Sequence, residues 1–335
     1  MQLITNKFLK ERFALGKRDD DRDPMTYRDI KLTLNEIPNA EGSAIVEIGN
    51  TKVLTGVKVD LSEPMSDTPN DGNMTTSAEL LPMADDNYDV GPPTPFGVEL
   101  ARVVDRAIRA AGVIDTEKLF IEEGKVWGVF VDMYILNNDG NLFDAGLLAS
   151  VAALLSCKVP KYENETVIRE AMGKLPTKNI TTSCTFAKFA DNLLLDPTAN
   201  EEALAESRVT IGNDEEVIRS MQKGMSGSFS MKDLDQWIDV TFEKSKTLRQ
   251  ILKNNTGDWV ANKSIRYGVN LRKREESVLK QKNAKYKCDV CGKEAVKRTS
   301  VAIWHCSYCN ATYAGGAYTM KTSSGETANR LLSRS

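Results

Sequence analysis

Near the end of this 335-residue sequence, four cysteines stand at the spacing of a metal clip. Cys288-x-x-Cys291 and Cys306-x-x-Cys309 are separated by 14 residues. Two such knuckles put four thiolates at the corners of a tetrahedron, which suits one zinc ion, and four sulfur ligands leave no open position for a reacting water. The expected role is structural. Gly292 and Asn310, one after each knuckle, are residue types that accept the left-handed turn through which N–H groups point at the sulfurs. Between the knuckles, "AVKRTSVAIW" (295–304) reads as a hairpin. Two disulfides are the competing reading, disfavoured by this spacing in a chain expected to be cytoplasmic. His305, the single histidine, is read as a solvent or RNA contact rather than a ligand. One histidine also leaves little room for His-based hydrolysis anywhere in the chain. Cys157 and Cys184 are isolated among apolar or Ser/Thr neighbours and read as buried small residues.

A second set of side chains could hold phosphate. In "VGPPTPFGVELARVVDRAIRAAGVID" (90–115), Leu100, Val103, Val104, Ala107, Ile108 and Ala111 form an apolar stripe at helical spacing. Arg102, Arg106 and Arg109 then lie on the opposite face. Surface ion pairing is the alternative, since Glu99–Arg102 and Asp105–Arg109 have i, i+3 and i, i+4 spacing. Around the clip, Arg266, Arg272, Lys273, Arg274, Lys285, Lys287, Lys293, Lys297 and Arg298 are available to a polyanion. Tyr267, Trp304 and Tyr308 could stack on bases, with small-core packing the competing role for Trp304. Gly315-Gly316 would let backbone approach RNA closely. The acidic runs "RDDDRD" (18–23), "MADDNYD" (83–89) and "NEEALAE" (200–206) could be taken for metal sites. They read instead as solvated loops or intersubunit faces.

These groups need elements to position them. Residues 40–60 read as two strands joined at Gly49-Asn50. Residues 125–136 are a strongly apolar strand, turned by "NNDG" into a helix over 144–155 rich in Ala, Gly and Ser. Strand candidates follow at 180–188, 192–196, 207–212 and 216–222, and Ser230 can cap a last helix with Asp233 at the third position. The pattern is α+β. Charge divides the chain as well. Residues 256–335 hold 15 Lys and Arg against six Asp and Glu, a balance of +9, while residues 1–255 stand at −12. Two modules with different partners are expected, the basic one suited to RNA. No apolar run approaches the ~20 residues of a membrane span, and the first 20 residues have no leader-like apolar core. A cytoplasmic protein with no membrane partner is expected.

The tail resembles a known family. "RYGVNLRK", "AKYKCDVCGK", "IWHCSYC" and "AGGAYT" follow the order and spacing of the 37Ae family of large-subunit ribosomal proteins over about residues 262–332. The resemblance implies a zinc ribbon embedded in ribosomal RNA; of the basic residues around the clip, Lys273, Arg274, Lys297 and Arg298 are the RNA contacts expected from their charge.

The body is similar to the RNase PH superfamily, and within it to the non-catalytic ring subunit of the archaeal exosome, over about residues 5–252. The similarity rests on "GKRDDDR", "AEGSAIVEIGNTKVLTGVK", "VELARVVDRAIR", "DGNLFDAG", "LLLDPTANEE" and "QKGMSGS". It implies two packed subdomains of the ribosomal-S5-like βαβ type. It also implies a ring of three heterodimers with a catalytic RNase PH-like partner, RNA-binding cap subunits and an RNA substrate. Arg102 and Arg106 match positions that, in such ring subunits, hold RNA phosphates beside the partner's active site; Lys223 is a lesser candidate. Asp21 stands where the family usually has Gly. Catalytic relatives carry Asp-Gly-Gly-Thr-Arg-Thr-Ala at a phosphate-binding helix start, and this chain has Asp139-Gly140-Asn141-Leu142-Phe143-Asp144-Ala145. Phe143 replaces the arginine, Leu142 the threonine, and Asp144 brings a carboxylate towards the anion's position. The family's later aspartate aligns near Ser207. No catalytic residue of its own is therefore expected.

The divisions expected are 1–160 and 161–253 for the two RNase PH-like subdomains, 254–262 for a linker and 263–335 for the ribbon. The function expected is a ring scaffold and RNA-binding subunit fused to a ribosomal zinc ribbon. The rival is a self-contained phosphorolytic 3′-to-5′ exoribonuclease whose ribbon captures RNA.

Overall fold

The computed structural model describes residues 17–18, 20–163, 165–189, 192–256 and 284–322, with Arg12, Val278, Gln281 and Lys282. The chain divides into two compact units, residues 1–261 and 262–335.

The first unit opens with a sheet of β1 (Ile30–Leu34), β2 (Gly42–Ile48), β3 (Thr51–Ser62), β4 (Asn73–Leu80), β5 (Phe120–Glu122) and β6 (Lys125–Asn137). Its order is β1-β2-β3-β6-β4, with β5 on β6. All pairings are antiparallel except β4 with β6, which are parallel. Parallel neighbours need a crossover, and α1 (Pro95–Ala111) supplies it. Its start is fixed by Thr94, whose hydroxyl accepts from the Gly97 N–H, and by Pro95 in the first turn. Leu100, Val103, Val104, Ala107, Ile108 and Ala111 are all buried, as their spacing requires, and Arg102, Arg106 and Arg109 are exposed.

α2 (Leu142–Ser156) is buried along nearly its whole length. It packs on β2 and β3 on one side and on β9 (Thr182–Phe189) on the other. A helix apolar all round has no solvent face, so α2 lies between two sheets. The second sheet has the order β10-β9-β11-β12, with β10 (Asn192–Leu195), β11 (Ser207–Asn213) and β12 (Ile218–Gly224). β7 (Lys158–Glu163) and β8 (Thr166–Lys174) form a separate hairpin. α3 (Ala199–Leu204) starts on a capping box from Thr198 to Glu201. α4 (Met231–Thr256) begins where Ser230 and Asp233 exchange backbone-to-side-chain bonds of 2.9 and 3.2 Å. α4 continues to Thr256, so the first three residues of the stretch 254–262 are helical; residues 257–262 lie outside the described residues.

The second unit is a small antiparallel sheet, β13 (Tyr286–Lys287), β14 (Glu294–Ser300), β15 (Ile303–Cys306) and β16 (Thr312–Ala314). Its core is Cys288, Val296, Trp304, Cys306 and Met320. Among the described residues no helix is long and apolar enough to cross a membrane.

Candidate functional sites

The four thiols of the clip converge. Their sulfur atoms all lie within 4.8 Å of one another. Cys288 and Cys309 are 3.5 Å apart and Cys291 and Cys306 3.8 Å. A tetrahedron with zinc–sulfur bonds of ~2.3 Å has edges of about 3.8 Å, so the set fits a metal ion of that size. Gly292 and Asn310 take φ of 71° and 59°, and the Cys291 N–H points at the Cys288 sulfur at 3.5 Å. Beside the set, Tyr313 places its hydroxyl 2.9 Å from the Cys288 sulfur. His305 sits on β15 opposite Lys297 and Thr312 and is not one of the converging groups.

The basic side chains of the ribbon divide. Lys297 is exposed, whereas Arg298 shares the face of buried Val296 opposite Trp304 and is half-buried. Lys293 lies 3.2 Å over the Tyr308 ring, so that face is already covered by a cation. Trp304 is fully buried, donates to the Gly316 carbonyl at 3.1 Å and meets Tyr286 edge-on, which makes it core. Gly315 and Gly316 approach Trp304 and the 319–322 turn within the chain, where a Cβ would collide. Close RNA approach is not their structural reason. Lys273 and Arg274, with Arg266, Tyr267 and Arg272, lie outside the described residues.

In the first unit the start of α2 is sealed by the chain itself. Phe143 is buried and meets Phe96 edge-on at 5.7 Å. The buried guanidinium of Arg208 stacks 4.2 Å from the Phe143 ring and bonds Glu99 at 3.0 Å. It fits because Gly224 opposite has no Cβ; one there would stand 2.7 Å from an Arg208 nitrogen. Asp144 does not face an anion's position. Its carboxylate turns to β9 and accepts from Tyr27, Ser183 and both the N–H and hydroxyl of Thr185 at 2.7–2.9 Å. Burial pushes its pKa up despite these donors. The group that takes a backbone N–H at the helix start is Glu202, whose carboxylate accepts from Asn141 at 3.0 Å. Burial raises Glu202 to about 7, against the pull of Arg208. Ser207 is buried, with no hydrogen-bond partner for its hydroxyl among the described residues.

The acidic runs are more integrated than their composition suggests. Asp20, Asp21 and Asp23 are exposed, but Arg18 at the head of the run is buried against Glu201 at 2.5 Å and the carbonyls of Leu195 and Asp196. Glu201 is therefore not on a solvated face and Glu202 is half-buried, while Asn200, Ala203 and Glu206 of that run stay exposed. Asp21 has φ of 60°, the conformation that a glycine there would take without strain. Tyr88, from the run at 83–89, bonds Asn138 beside α2.

The three arginines of α1 differ. Arg109 pairs with Asp105 at 2.8 Å and also bonds the Met74 carbonyl. Arg106 donates to the Gln222 side-chain oxygen at 3.2 Å. Arg102 has no bond or ion pair among the described residues, and Glu99, placed by spacing beside it, pairs instead with Arg208. Lys223 turns back to the Met225 carbonyl.

Residues 26–160 match domain 1 of the 3′ exoribonuclease family, residues 179–244 its domain 2, and residues 260–335 the ribosomal L37ae protein family. The exosome complex component Rrp42 of Thermococcus gammatolerans is 43% identical over 249 residues, 72% of this chain and 91% of that protein. Its namesake in Methanothermobacter thermautotrophicus is 44% identical over 255 residues, 74% and 94% of the two chains. A chain of the Archaeoglobus fulgidus exosome with RNA bound to the active site superposes with a TM-score of 0.71 at 36% identity, covering 75% of this chain and 99% of that one. The chain belongs through its first unit to the Rrp42 exosome components of the RNase PH-type 3′ exoribonuclease family, and carries an L37ae ribosomal-protein segment behind it.

Proposed function

We propose that this protein is a non-catalytic scaffold and RNA-binding subunit of the exosome's 3′-to-5′ RNA-degrading ring, joined to a ribbon that binds large-subunit ribosomal RNA. One observation carries the reading. The α2 start, where catalytic relatives would seat phosphate, is filled by Phe143, Arg208 and Glu202, while Arg102 and Arg106 stay exposed on α1. Phosphate would meet an aromatic ring and a carboxylate rather than open N–H groups. The catalytic RNase PH-like partner supplies the chemistry, and Arg102 and Arg106 hold RNA phosphates beside its site. Three such heterodimers form the ring, with RNA-binding cap subunits on it, in the cytoplasm. The divisions proposed are subdomains at 1–160 and 161–253, then the join, then the ribbon from about 263. Zinc is the metal proposed for Cys288, Cys291, Cys306 and Cys309; when bound it crosslinks the two knuckles and leaves no open position. Lys273, Arg274, Lys297 and Arg298 are the proposed ribosomal-RNA contacts.

The pure chain is expected to release no nucleoside diphosphates from single-stranded RNA and phosphate, and to support that release once assembled with its catalytic partner. Phosphorolysis by a partner-free preparation would sink the proposal and favour a self-contained exoribonuclease. Arg106→Glu is expected to leave ring assembly intact, weaken RNA retention and reduce the dependence of log affinity on log salt by about one phosphate contact or more. An unchanged salt slope, read by titration at several ionic strengths, would return Arg106 to a purely structural role.

A further inference from the structure

Taking Arg106 as an RNA-phosphate contact, as proposed above, we infer that Gln222, Glu99 and Arg208 are positioning residues for it, a relay that aims its guanidinium while leaving its charge whole. Arg106 Nη1 donates to Gln222 Oε1 at 3.2 Å. Gln222 Nε2 in turn faces Glu99 Oε1 at 3.5 Å and the Lys223 carbonyl at 3.4 Å. The same Glu99 oxygen accepts from Arg208 Nη2 at 3.0 Å. Arg208 is buried and locked between the Phe143 ring and the space left by Gly224.

Each link contributes something distinct. A carboxylate accepts only, so Glu99 turns the Gln222 amide nitrogen inward and its oxygen outward to Arg106. A bare carboxylate beside an RNA path would repel phosphate; the Arg208 guanidinium offsets that charge at short range. Gln222 is neutral, so Arg106 is braced without being neutralised. Arg109, by contrast, is paired with a carboxylate, and Arg102 is unbraced among the described residues. A braced arginine loses less side-chain freedom when it meets phosphate. Phe143 and Arg208, which fill the place where catalytic relatives would seat phosphate, thus also anchor the base of the relay.

The test uses the full chain assembled with its catalytic partner, with single-stranded oligoadenylate and inorganic phosphate as substrates. Arg106→Ala is measured first. If it leaves KM for RNA unchanged, the RNA reading of Arg106 itself fails. Where Arg106→Ala raises KM, Gln222→Ala is expected to raise it about two- to tenfold, the range for freeing one immobilised side chain. kcat and the salt slope should stay unchanged, since no charge is lost. In the Arg106→Ala background, Gln222→Ala should add nothing. Gln222→Glu should weaken binding further and flatten the salt slope, because it pairs off the Arg106 charge. Arg208→Lys keeps a cation but loses the planar stack, and should reproduce Gln222→Ala; if it does not assemble, the Gln222 variants carry the test. Additive effects of Arg106→Ala and Gln222→Ala, or no effect of Gln222→Ala, would overturn the relay.

Discussion

Chelating the zinc proposed for the clip, or replacing Cys306 by Ser, is expected to unfold the ribbon over residues 284–322 and leave the melting transition of the first unit in place. Among its described residues the ribbon has five buried apolar side chains, and two of them, Cys288 and Cys306, belong to the set of converging thiols. A core that small does not offset the entropy of ordering its chain. Structural zinc in comparable small domains contributes roughly 10–16 kcal/mol at neutral pH, more than such a core could supply. Four sulfurs gathered within 4.8 Å cannot all remain thiolates without a cation, so they take up protons and lose what draws them together. The first unit draws on another core, running from Ala44 to Leu252 and sharing no residue with the ribbon's. Calorimetry of the full chain with and without a chelator reads both units at once. One transition should vanish and the other hold its temperature. A shift of several degrees in the surviving transition would mean that the two units stabilise one another, contrary to this expectation.

Local pattern is legible in the sequence and distant partnership is not. The arginine face of α1, the knuckle turns at Gly292 and Asn310 and the Ser230 cap follow from spacing and residue type over a few positions, and the structure has them. β4, "NMTTSAEL", is hard to read because its inward face, Met74, Ala78 and Leu80, is broken by Thr76 and set in an otherwise polar edge strand. The β7–β8 hairpin is hidden for a similar reason, its strands carrying Pro160, Glu163 and several lysines. Glu99 shows the limit most clearly. Helical spacing offers it Arg102 three residues on, but it bonds Arg208, 109 residues away, because that guanidinium is already fixed on Phe143. Pattern puts Asp144 on the helix but points it at the wrong neighbours, since only the packing of α2 against β9 decides where its carboxylate turns. Glu202 carries a usable signal: Thr198-x-x-Glu201 is a capping box, and it puts Glu202 inside a helix rather than in a solvated run.

Asp196→Ala is expected to lower the melting temperature of the first unit by about 10 °C or more, from a loss of roughly 3–5 kcal/mol typical of breaking a buried ion pair. Asp196 is fully buried and accepts from the backbone and side chain of Arg28 at 2.9–3.0 Å, from Arg22 at 2.9 Å and from Asn141 at 2.6 Å. It therefore ties the segment before β1 and the start of α2 to the end of β10. Without its carboxylate two arginines that are mostly buried lose a shared acceptor. Alanine is also strained at φ of 52°, which Asn tolerates, so Asp196→Asn should cost less and isolate the charge. The acid response follows from the same contacts. Burial alone would raise the Asp196 pKa, but Arg28 and Asn141 hold it below the ordinary carboxylate value. A carboxyl depressed in the folded state contributes its full stability above its unfolded pKa, about 3.9, and loses it as pH falls through the native value. Glu202, raised to about 7, acts oppositely: its contribution is greatest below about 4.5 and fades as pH rises towards 7. Melting curves from pH 7 downward should therefore show Asp196→Asn losing part of the steep acid limb of the parent protein. An acid limb identical in parent and Asp196→Asn would show that the Arg28 and Arg22 pairs do not hold this carboxylate charged in the fold.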